Sequence, residues 1–242
     1  QQYKYAGNYL DRREALEYFA KNKLSDLSLG LNDKYYGLRL LTLENLEQQN
    51  GYTVPSVLKV VEEMAVKDPN KKVQAKAIEI LAKMNDTKYL PLFEKYVNDS
   101  SYSVAGAALE GLISLNPENA LALANKYRND ALGKLGDVVA DIILQNATEE
   151  DFNFLFNHFK DEALSEEKIE SAFKFENYLI TFTNPDNVRK GVDEIMKFRA
   201  QLSQQDRSGL DPIFKEGFNR ISAAQQANGN TELANYINGL LK

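Results

Sequence analysis

Four aspartates recur along the chain at nearly constant spacing, and the residue types that follow each of them recur as well. Asp33, Asp68, Asp99 and Asp130 are separated by 35, 31 and 31 residues. The residues five, nine, ten and thirteen places after each aspartate are apolar or compact: Leu38, Thr42, Leu43, Leu46; Val73, Ala77, Ile78, Leu81; Val104, Ala108, Leu109, Leu112; Leu135, Val139, Ala140, Ile143. Because this spacing places four residues on one helix face, the repeat predicts an amphipathic helix after each aspartate.

A second helix is predicted between successive repeat helices, over residues 55–66, 90–97 and 117–127. A pair of helices with apolar residues on two sides cannot bury them alone, so successive pairs must stack. Stacked pairs of this kind are typical of HEAT-type solenoids, whose period of about 40 residues varies. The tetratricopeptide repeat, with a period of about 34 residues, fits less well because its aromatic-and-glycine pattern is absent.

Helical periodicity runs through almost the whole chain, whereas the alternation typical of strands is nearly absent. We therefore predict an all-α fold, an α-α superhelix of the HEAT or armadillo kind with roughly eleven or twelve helices. Capping side chains are predicted before a proline at the first helical position in three pairs: Asn116-Pro117, Asn184-Pro185 and Asp211-Pro212.

The chain is predicted to form one helical domain over residues 1–242, because no linker rich in proline, glycine or serine divides it. Residues 1–10 are predicted to be an extended lead-in, and residues 11–160 to be regular helical pairs. The repeat fails after that point, since Asp161 lies one more step along but its fifth position is Glu166. Residues 161–242 are therefore predicted to be irregular closing helices.

Composition narrows the chemistry that the chain can perform. It has no cysteine and a single histidine, His158, so neither thiolate sites nor the usual several-ligand zinc sites are expected. The formal charge of −6 and the lack of long basic clusters argue against nucleic acid or an anionic membrane as the main partner. No apolar run approaches the ~20 residues that span a bilayer. A chain without cysteine is compatible with reducing and oxidising compartments alike, so the sequence does not indicate the cellular compartment.

No catalytic, cofactor-binding or metal-ligating residue is predicted. His158 is interpreted as a structural or solvent-facing side chain, with Glu162 as its surface helix partner. The repeated aspartates are interpreted as helix caps in the turns rather than cation ligands. Gly106 and Gly111 are interpreted as points of close helix packing. The carboxylate clusters are expected to be caps or solvated faces: Glu62-Glu63, Glu149-Glu150-Asp151, Asp161-Glu162 and Glu166-Glu167.

Two stretches carry a resemblance to a known family. Residues 2–6, Gln2-Tyr3-Lys4-Tyr5-Ala6, are predicted to end an extended segment, and residues 8–16 follow as Asn8-Tyr9-Leu10-Asp11-Arg12-Arg13-Glu14-Ala15-Leu16. Together they are similar to a Y-A…Y-x-D-R-x-E-A-I/L stretch. Residues 182–193, from Phe182 to Asp193, are similar to an N-x-x-x-V-x-x-G-I/V-D/E passage. Both resemble the C-terminal helical domain of bacterial zinc aminopeptidases of the aminopeptidase N family. The first lies there at the junction with a small β-sandwich, and the second lies late in the helical domain.

The resemblance implies a non-catalytic C-terminal domain that closes over the active site of an upstream metallopeptidase domain and limits peptide access. Its partners would be the upstream catalytic and β-sandwich domains of the same chain, with the peptide substrate as a further contact. The family's zinc is bound by H-E-x-x-H and a distant Glu. This chain lacks that motif, so any zinc would belong to the parent's catalytic domain.

Two alternatives remain open at this stage. The chain could be a stand-alone HEAT-type scaffold that binds a protein or peptide in its concave groove. It could also be a self-sufficient enzyme, in which case turnover would be lost on His158→Ala or on mutation of a carboxylate pair.

Overall fold

The fold class is all-α. The computed structural model describes Tyr3 and residues 7–22 and 24–240, and these residues form α-helices and short 3-10 turns without any strand. They contain fourteen α-helices, more than predicted, because helices of four to eight residues leave little periodicity in a sequence. The helices are α1 Tyr9–Asn22, α2 Leu24–Leu27, α3 Tyr36–Gln48, α4 Pro55–Lys67, α5 Lys71–Lys83, α6 Leu90–Tyr96, α7 Tyr102–Leu115, α8 Ala120–Tyr127, α9 Gly133–Leu144, α10 Phe152–Asp161, α11 Glu166–Leu179, α12 Pro185–Gln201, α13 Gln204–Ala227 and α14 Thr231–Gly239.

The chain forms two compact units, Gln1–Val139 and Ala140–Lys242. The division lies within α9, about twenty residues before the change at 160/161 that the sequence predicts. Whether the two units act as one domain stays a prediction. None of the described helices is both long and apolar enough to cross a membrane.

The extended lead-in predicted for residues 1–10 is wrong at its end, because Tyr9 and Leu10 already lie in α1. The helix begins early because Asn8 caps it: the backbone N–H of Asp11 donates to the Asn8 side chain at 2.9 Å, and the Asn8 amide donates back to Asp11 at 2.7 Å. Tyr3 is also helical and buried. The remainder of the lead-in at residues 1, 2 and 4–6 lies outside the described residues.

The repeat that organises the sequence also organises the core of the first unit. All sixteen repeat positions are buried; fourteen of them lie in the first unit, whereas Ala140 and Ile143 in α9 belong to the second unit. The repeat helices α3, α5 and α7 pack side by side, and each second helix packs against the repeat helix that follows it, α4 against α5 and α6 against α7. The predicted second helices are therefore confirmed, with the third preceded by a 3-10 turn over Pro117–Asn119.

Two glycines of α7 allow neighbouring helices to approach closely, as predicted. A Cβ atom at Gly106 would lie 2.8 Å from the backbone carbon of Lys134 and 2.9 Å from the backbone nitrogen of Leu135. A Cβ atom at Gly111 would lie 2.7 Å from the ring of Phe93. The first contact is with backbone, which cannot rotate away, so α7 and α9 depend on glycine at this crossing.

We expect Gly106→Ala to lower the free energy of unfolding by about 1–3 kcal/mol, because the helices must move apart to admit one methyl group. The matched control is Gly209→Ala in α13, where nothing lies within 4 Å of the added carbon. That change should be neutral or stabilising by up to ~1 kcal/mol, since alanine favours a helix interior. Equal urea midpoints for the two variants would contradict the packing role of Gly106.

The second unit is held together by aromatic side chains from three helices. Phe159 of α10 stacks on Phe175 of α11 with ring centroids 5.2 Å apart, and it meets Phe198 of α12 edge-on at 5.9 Å. Phe152 and Phe182 form another edge-on pair at 5.7 Å. Edge-on and offset pairs at these distances are favourable beyond their burial.

The helix starts of the second unit agree with the capping predictions at one of two sites. The side chain of Asn184 accepts from the backbone N–H groups of Asp186 and Asn187. The start predicted at Asp211-Pro212 is wrong, because α13 begins eight residues earlier under a cap from Ser203 and continues through Pro212. Pro212 thus lies inside a helix whose first turn is capped by the Ser203 side chain, which accepts from the backbone N–H of Asp206. In the first unit, Asn116 precedes a 3-10 turn but makes no capping bond with its side chain.

Candidate functional site

The single histidine lies on α10, beside a small cavity of about 20 Å³ that Asp141, Ser171 and Lys174 also line. The Ser171 hydroxyl donates to Glu162 at 3.2 Å, and Lys174 donates to Asp141 at 2.9 Å. A histidine, a serine and an aspartate, the residue types of a hydrolytic triad, therefore lie around one cavity. The cavity has room for about one water molecule, however, whereas ligand pockets occupy ~300 Å³ or more. The arrangement therefore offers no space for an organic substrate.

Glu162 is the residue directly after α10, and its backbone N–H donates to the carbonyl of His158 at 3.1 Å. Besides accepting from Ser171, it offers its backbone carbonyl to the Lys168 ammonium at 2.6 Å. The same ammonium donates to the Lys160 carbonyl at 3.3 Å, so Lys168 satisfies the last carbonyls of α10. Burial lowers the pKa of Lys168, although nearby carboxylates oppose the shift. Sequence reasoning did not single out this lysine, whose role is structural.

The repeated aspartates lie in the turns as predicted, but they are not the capping residues themselves. Asp33, Asp68 and Asp99 each accept from the backbone N–H two residues further on, at 2.8, 2.9 and 2.9 Å. Those N–H groups belong to the residues that precede α3, α5 and α7, so each aspartate sets the direction in which the chain enters a repeat helix. The side chain of Asp130 lies outside the described residues.

Each of the three aspartates also binds a cation from an earlier part of the chain. These contacts form a series through the first unit, which we call the aspartate ladder: Arg12 to Asp33 at 2.7 Å, Arg39 to Asp68 at 2.8 Å and Lys71 to Asp99 at 2.8 Å. The first two pairs are bidentate and largely buried, whereas the third is half exposed on the lysine side. The ladder therefore holds consecutive turns next to one another.

Asp33 has the most partners in the ladder. It also accepts from the hydroxyl of Tyr3 at 2.5 Å and from the N–H of Tyr35. Burial alone would raise the pKa of Asp33, but the hydrogen bonds from Arg12, Tyr3 and Tyr35 lower it. Burial and the contact with Asp33 raise the pKa of Tyr3. The carboxylate of Asp33 is thus ionised, and its role is structural.

Beside this end of the ladder lies an open groove of about 450 Å³, the larger of the two cavities described. Gly7, Tyr9, Arg12, Lys34 and Tyr35 line it. The rings of Tyr9 and Tyr35 meet edge-on with centroids 5.0 Å apart. The groove therefore offers aromatic surface and a lysine, and its volume falls in the range of sites that hold a ligand side chain.

The repeat helices carry a second series of charge pairs on another face. Lys76 of α5 contacts Glu47 of α3 at 2.5 Å and Glu79 of its own helix at 3.2 Å. Lys134 of α9 contacts Glu79 at 3.4 Å and Glu110 of α7 at 2.8 Å. These half-buried charges compensate one another, so the network links four adjacent helices.

One buried carboxyl in the second unit is not compensated. Glu176 of α11 is 1 % exposed, and its Oε1 atom has no hydrogen-bond partner among the described residues. The carboxyl lies directly against the backbone of Gly217 in α13, where any side chain would collide with it. Burial raises the pKa of Glu176 to about 8; Arg220 opposes the shift and Glu216 adds to it. No pattern in the sequence distinguishes this glutamate from surface ones.

Within the described part of the chain, no group of three or more His, Cys, Asp or Glu side chains could hold a metal ion. Comparison with known families matches residues 58–130 to HEAT repeats. The match runs from α4 to α8 and so includes the packed repeat helices α5 and α7. No curated protein matches the chain. The first unit thus contains stacked helical pairs, and residues 58–130 within it are similar to HEAT repeats.

Proposed function

We propose that the chain is a non-catalytic helical-repeat scaffold that forms the C-terminal domain of a zinc metallo-aminopeptidase. In that role it caps the active site of an upstream catalytic domain and limits the access of peptides. The zinc would be bound entirely by the upstream domain, and this chain would contribute surface and shape.

The observation that carries the proposal is the position of the motif helix α1. Two residues of the aminopeptidase-like stretch attach this helix to the repeat: Leu16 is fully buried, and Arg12 makes the first pair of the ladder. Tyr9 and Leu10, at the start of the same stretch, are 39 % and 69 % exposed. The stretch is thus anchored on one side and presents apolar surface on the other, as a junction with a preceding domain requires.

The test begins with the gene upstream of Gln1, which should encode H-E-x-x-H. The parent protein with and without this chain is then assayed on an aminoacyl anilide and on a peptide of about ten residues. We expect removal of the chain to change the ratio of the two kcat/KM values by on the order of tenfold, because a cap discriminates by size. The isolated chain should hydrolyse neither substrate and should contain no zinc. An upstream gene without the motif, or turnover by the isolated chain, would refute the proposal.

A stand-alone scaffold that binds a protein or peptide in its concave groove is the second candidate. The HEAT match favours it, since stacked helical repeats create extended concave binding surfaces. It predicts that the natural chain starts near Gln1 and that a partner copurifies with it.

A further inference from the structure

The turns that hold the aspartate ladder carry positive charge in a negative protein. We define the ladder edge as residues 33–36, 67–72, 95–102 and 126–133, where the second helices end and the repeat helices begin. These segments contain seven Lys or Arg and four Asp, whereas the chain as a whole has 29 Lys and Arg against 35 Asp and Glu. Positive charge is therefore concentrated on one edge of the first unit.

Two carboxylates of this edge, those of Asp33 and Asp68, are buried. Asp33 and Asp68 are bound by Arg12 and Arg39, which lie outside the four segments, so these aspartates do not offset the lysines at the surface. The lysines that remain exposed are Lys34, Lys67, Lys71, Lys72, Lys95 and Lys126, of which Lys71 binds Asp99. The ladder edge thus presents ammonium groups to solvent.

Helix stability explains only part of this arrangement. Lys67, Lys95 and Lys126 lie in the last turns of α4, α6 and α8, where a cation interacts favourably with the helix dipole. Lys71 and Lys72 are the first two residues of α5, where a cation is unfavourable. Lys71 is held in this position by Asp99, so Lys72 is the exposed lysine that opposes the dipole and points to a role outside the fold.

The same edge exposes large apolar side chains. Tyr35, Tyr36, Tyr102 and Leu132 are 41 %, 39 %, 43 % and 61 % exposed, and they occupy the second and third places after the repeated aspartates. Tyr102 lies 3.6 Å from where a side chain at Gly133 would begin, so consecutive turns are in contact. The groove lined by Tyr9, Lys34 and Tyr35 lies at one end of this row.

We propose that the ladder edge binds an acidic protein segment that also carries aromatic or aliphatic side chains. The carboxylates of the segment contact Lys34 and Lys72, one apolar side chain enters the groove, and others lie against Tyr36 and Tyr102. The lysines attract and orient the acidic segment as it approaches, and the exposed aromatic rings provide the contact area. The inference rests on the scaffold role proposed above but not on an aminopeptidase parent.

The probe is a fluorescein-labelled peptide of twelve residues, glutamate throughout except for tyrosine or leucine at every third position. Its anisotropy is titrated with the 242-residue chain at low and moderate salt. The edge variant is Lys34→Glu, Lys72→Glu and Lys95→Glu combined. The matched control is Lys59→Glu, Lys190→Glu and Lys215→Glu, which makes the same charge change at exposed lysines elsewhere.

We expect the edge variant to weaken Kd by at least about tenfold and the control by less than about threefold, because the attraction requires charges in contact. Circular dichroism should show both folded. Tyr36→Ser with Tyr102→Ser should weaken binding without changing its salt dependence. No binding of the wild-type chain at about 1 mM, equal loss in both triple variants, or tighter binding of a twelve-nucleotide RNA would overturn the proposal. Such a failure would leave the copurification and substrate-ratio tests of the scaffold role unaffected.

Discussion

Glu176→Gln is expected to remove a large pH dependence from the stability of the second unit. The carboxyl is buried against Gly217, its Oε1 atom has no hydrogen-bond partner among the described residues, and burial raises its pKa from 4.5 to about 8. The folded chain therefore keeps a proton on Glu176 that the unfolded chain releases between about pH 4.5 and pH 8. Stability from this group is complete below pH 4.5 and is lost as the pH rises through 8.

The size of the effect follows from the shift. One pKa unit corresponds to ~1.4 kcal/mol, so the increase from 4.5 to about 8 amounts to roughly 3–5 kcal/mol. The measurement is the free energy of unfolding of wild type and Glu176→Gln, by urea at pH 5 and pH 9. From pH 5 to pH 9, the free energy of unfolding of wild type should fall by roughly 3–5 kcal/mol relative to that of Glu176→Gln, because glutamine does not titrate.

Glu216→Gln is the matched control, since it removes the same charge from an exposed position on α13 near Glu176. The difference in free energy of unfolding between Glu216→Gln and wild type should vary by less than ~1 kcal/mol over the same pH range. If the free energies of unfolding of Glu176→Gln and wild type depended on pH in the same way, the carboxyl of Glu176 would be solvated or paired in solution.

Asp33→Ala is expected to cost about 3–5 kcal/mol, because it leaves the guanidinium of Arg12 buried without a counter-ion. The change also removes the acceptor for the Tyr3 hydroxyl and for the N–H that directs the chain into α3. Since the pKa of Asp33 is lowered in the folded chain, its contribution should be present at neutral pH and be lost as the pH falls below about 4. Urea unfolding of the first unit at pH 7 measures the loss.

The ladder provides its own graded control. Asp99→Ala removes the same kind of turn contact, but its partner Lys71 is half exposed and can return to water. We expect this variant to lose about 1–2 kcal/mol, clearly less than Asp33→Ala. Equal losses at the two positions would mean that the turn contacts, and not the buried ion pair, account for the role of the aspartates.

The first unit could be predicted from the sequence because its regularity is local and repeated. All sixteen positions that the spacing of five, nine, ten and thirteen selects are buried, since four copies of one pattern average out the irregularities of each. Gly106 and Gly111 were identifiable for the same reason, as small residues within a repeat helix. The turn aspartates were found, but their cation partners were not, because each partner lies 21 to 29 residues away.

The second unit was less predictable because its contacts do not follow a pattern that recurs along the chain. Pro212 resembles a helix start, but the helix begins eight residues earlier at Gln204, after the Ser203 cap. Glu176 looks like any helix glutamate, and only the packing of α11 on Gly217 makes it unusual. The groove beside Tyr9 and Lys34 also depends on tertiary packing, since it joins the start of α1 to the turn before α3.

The buried repeat is tested most directly by thiol labelling, since the natural chain has no cysteine. Ala77→Cys and Ala108→Cys each place one thiol at a repeat position that is fully buried, and Lys72→Cys and Lys59→Cys place it at exposed positions. Under native conditions the two buried thiols should react with a maleimide at least about a hundredfold more slowly than the exposed ones, because reaction requires local opening. Reaction at the rate of the exposed thiols would contradict a core built from this repeat.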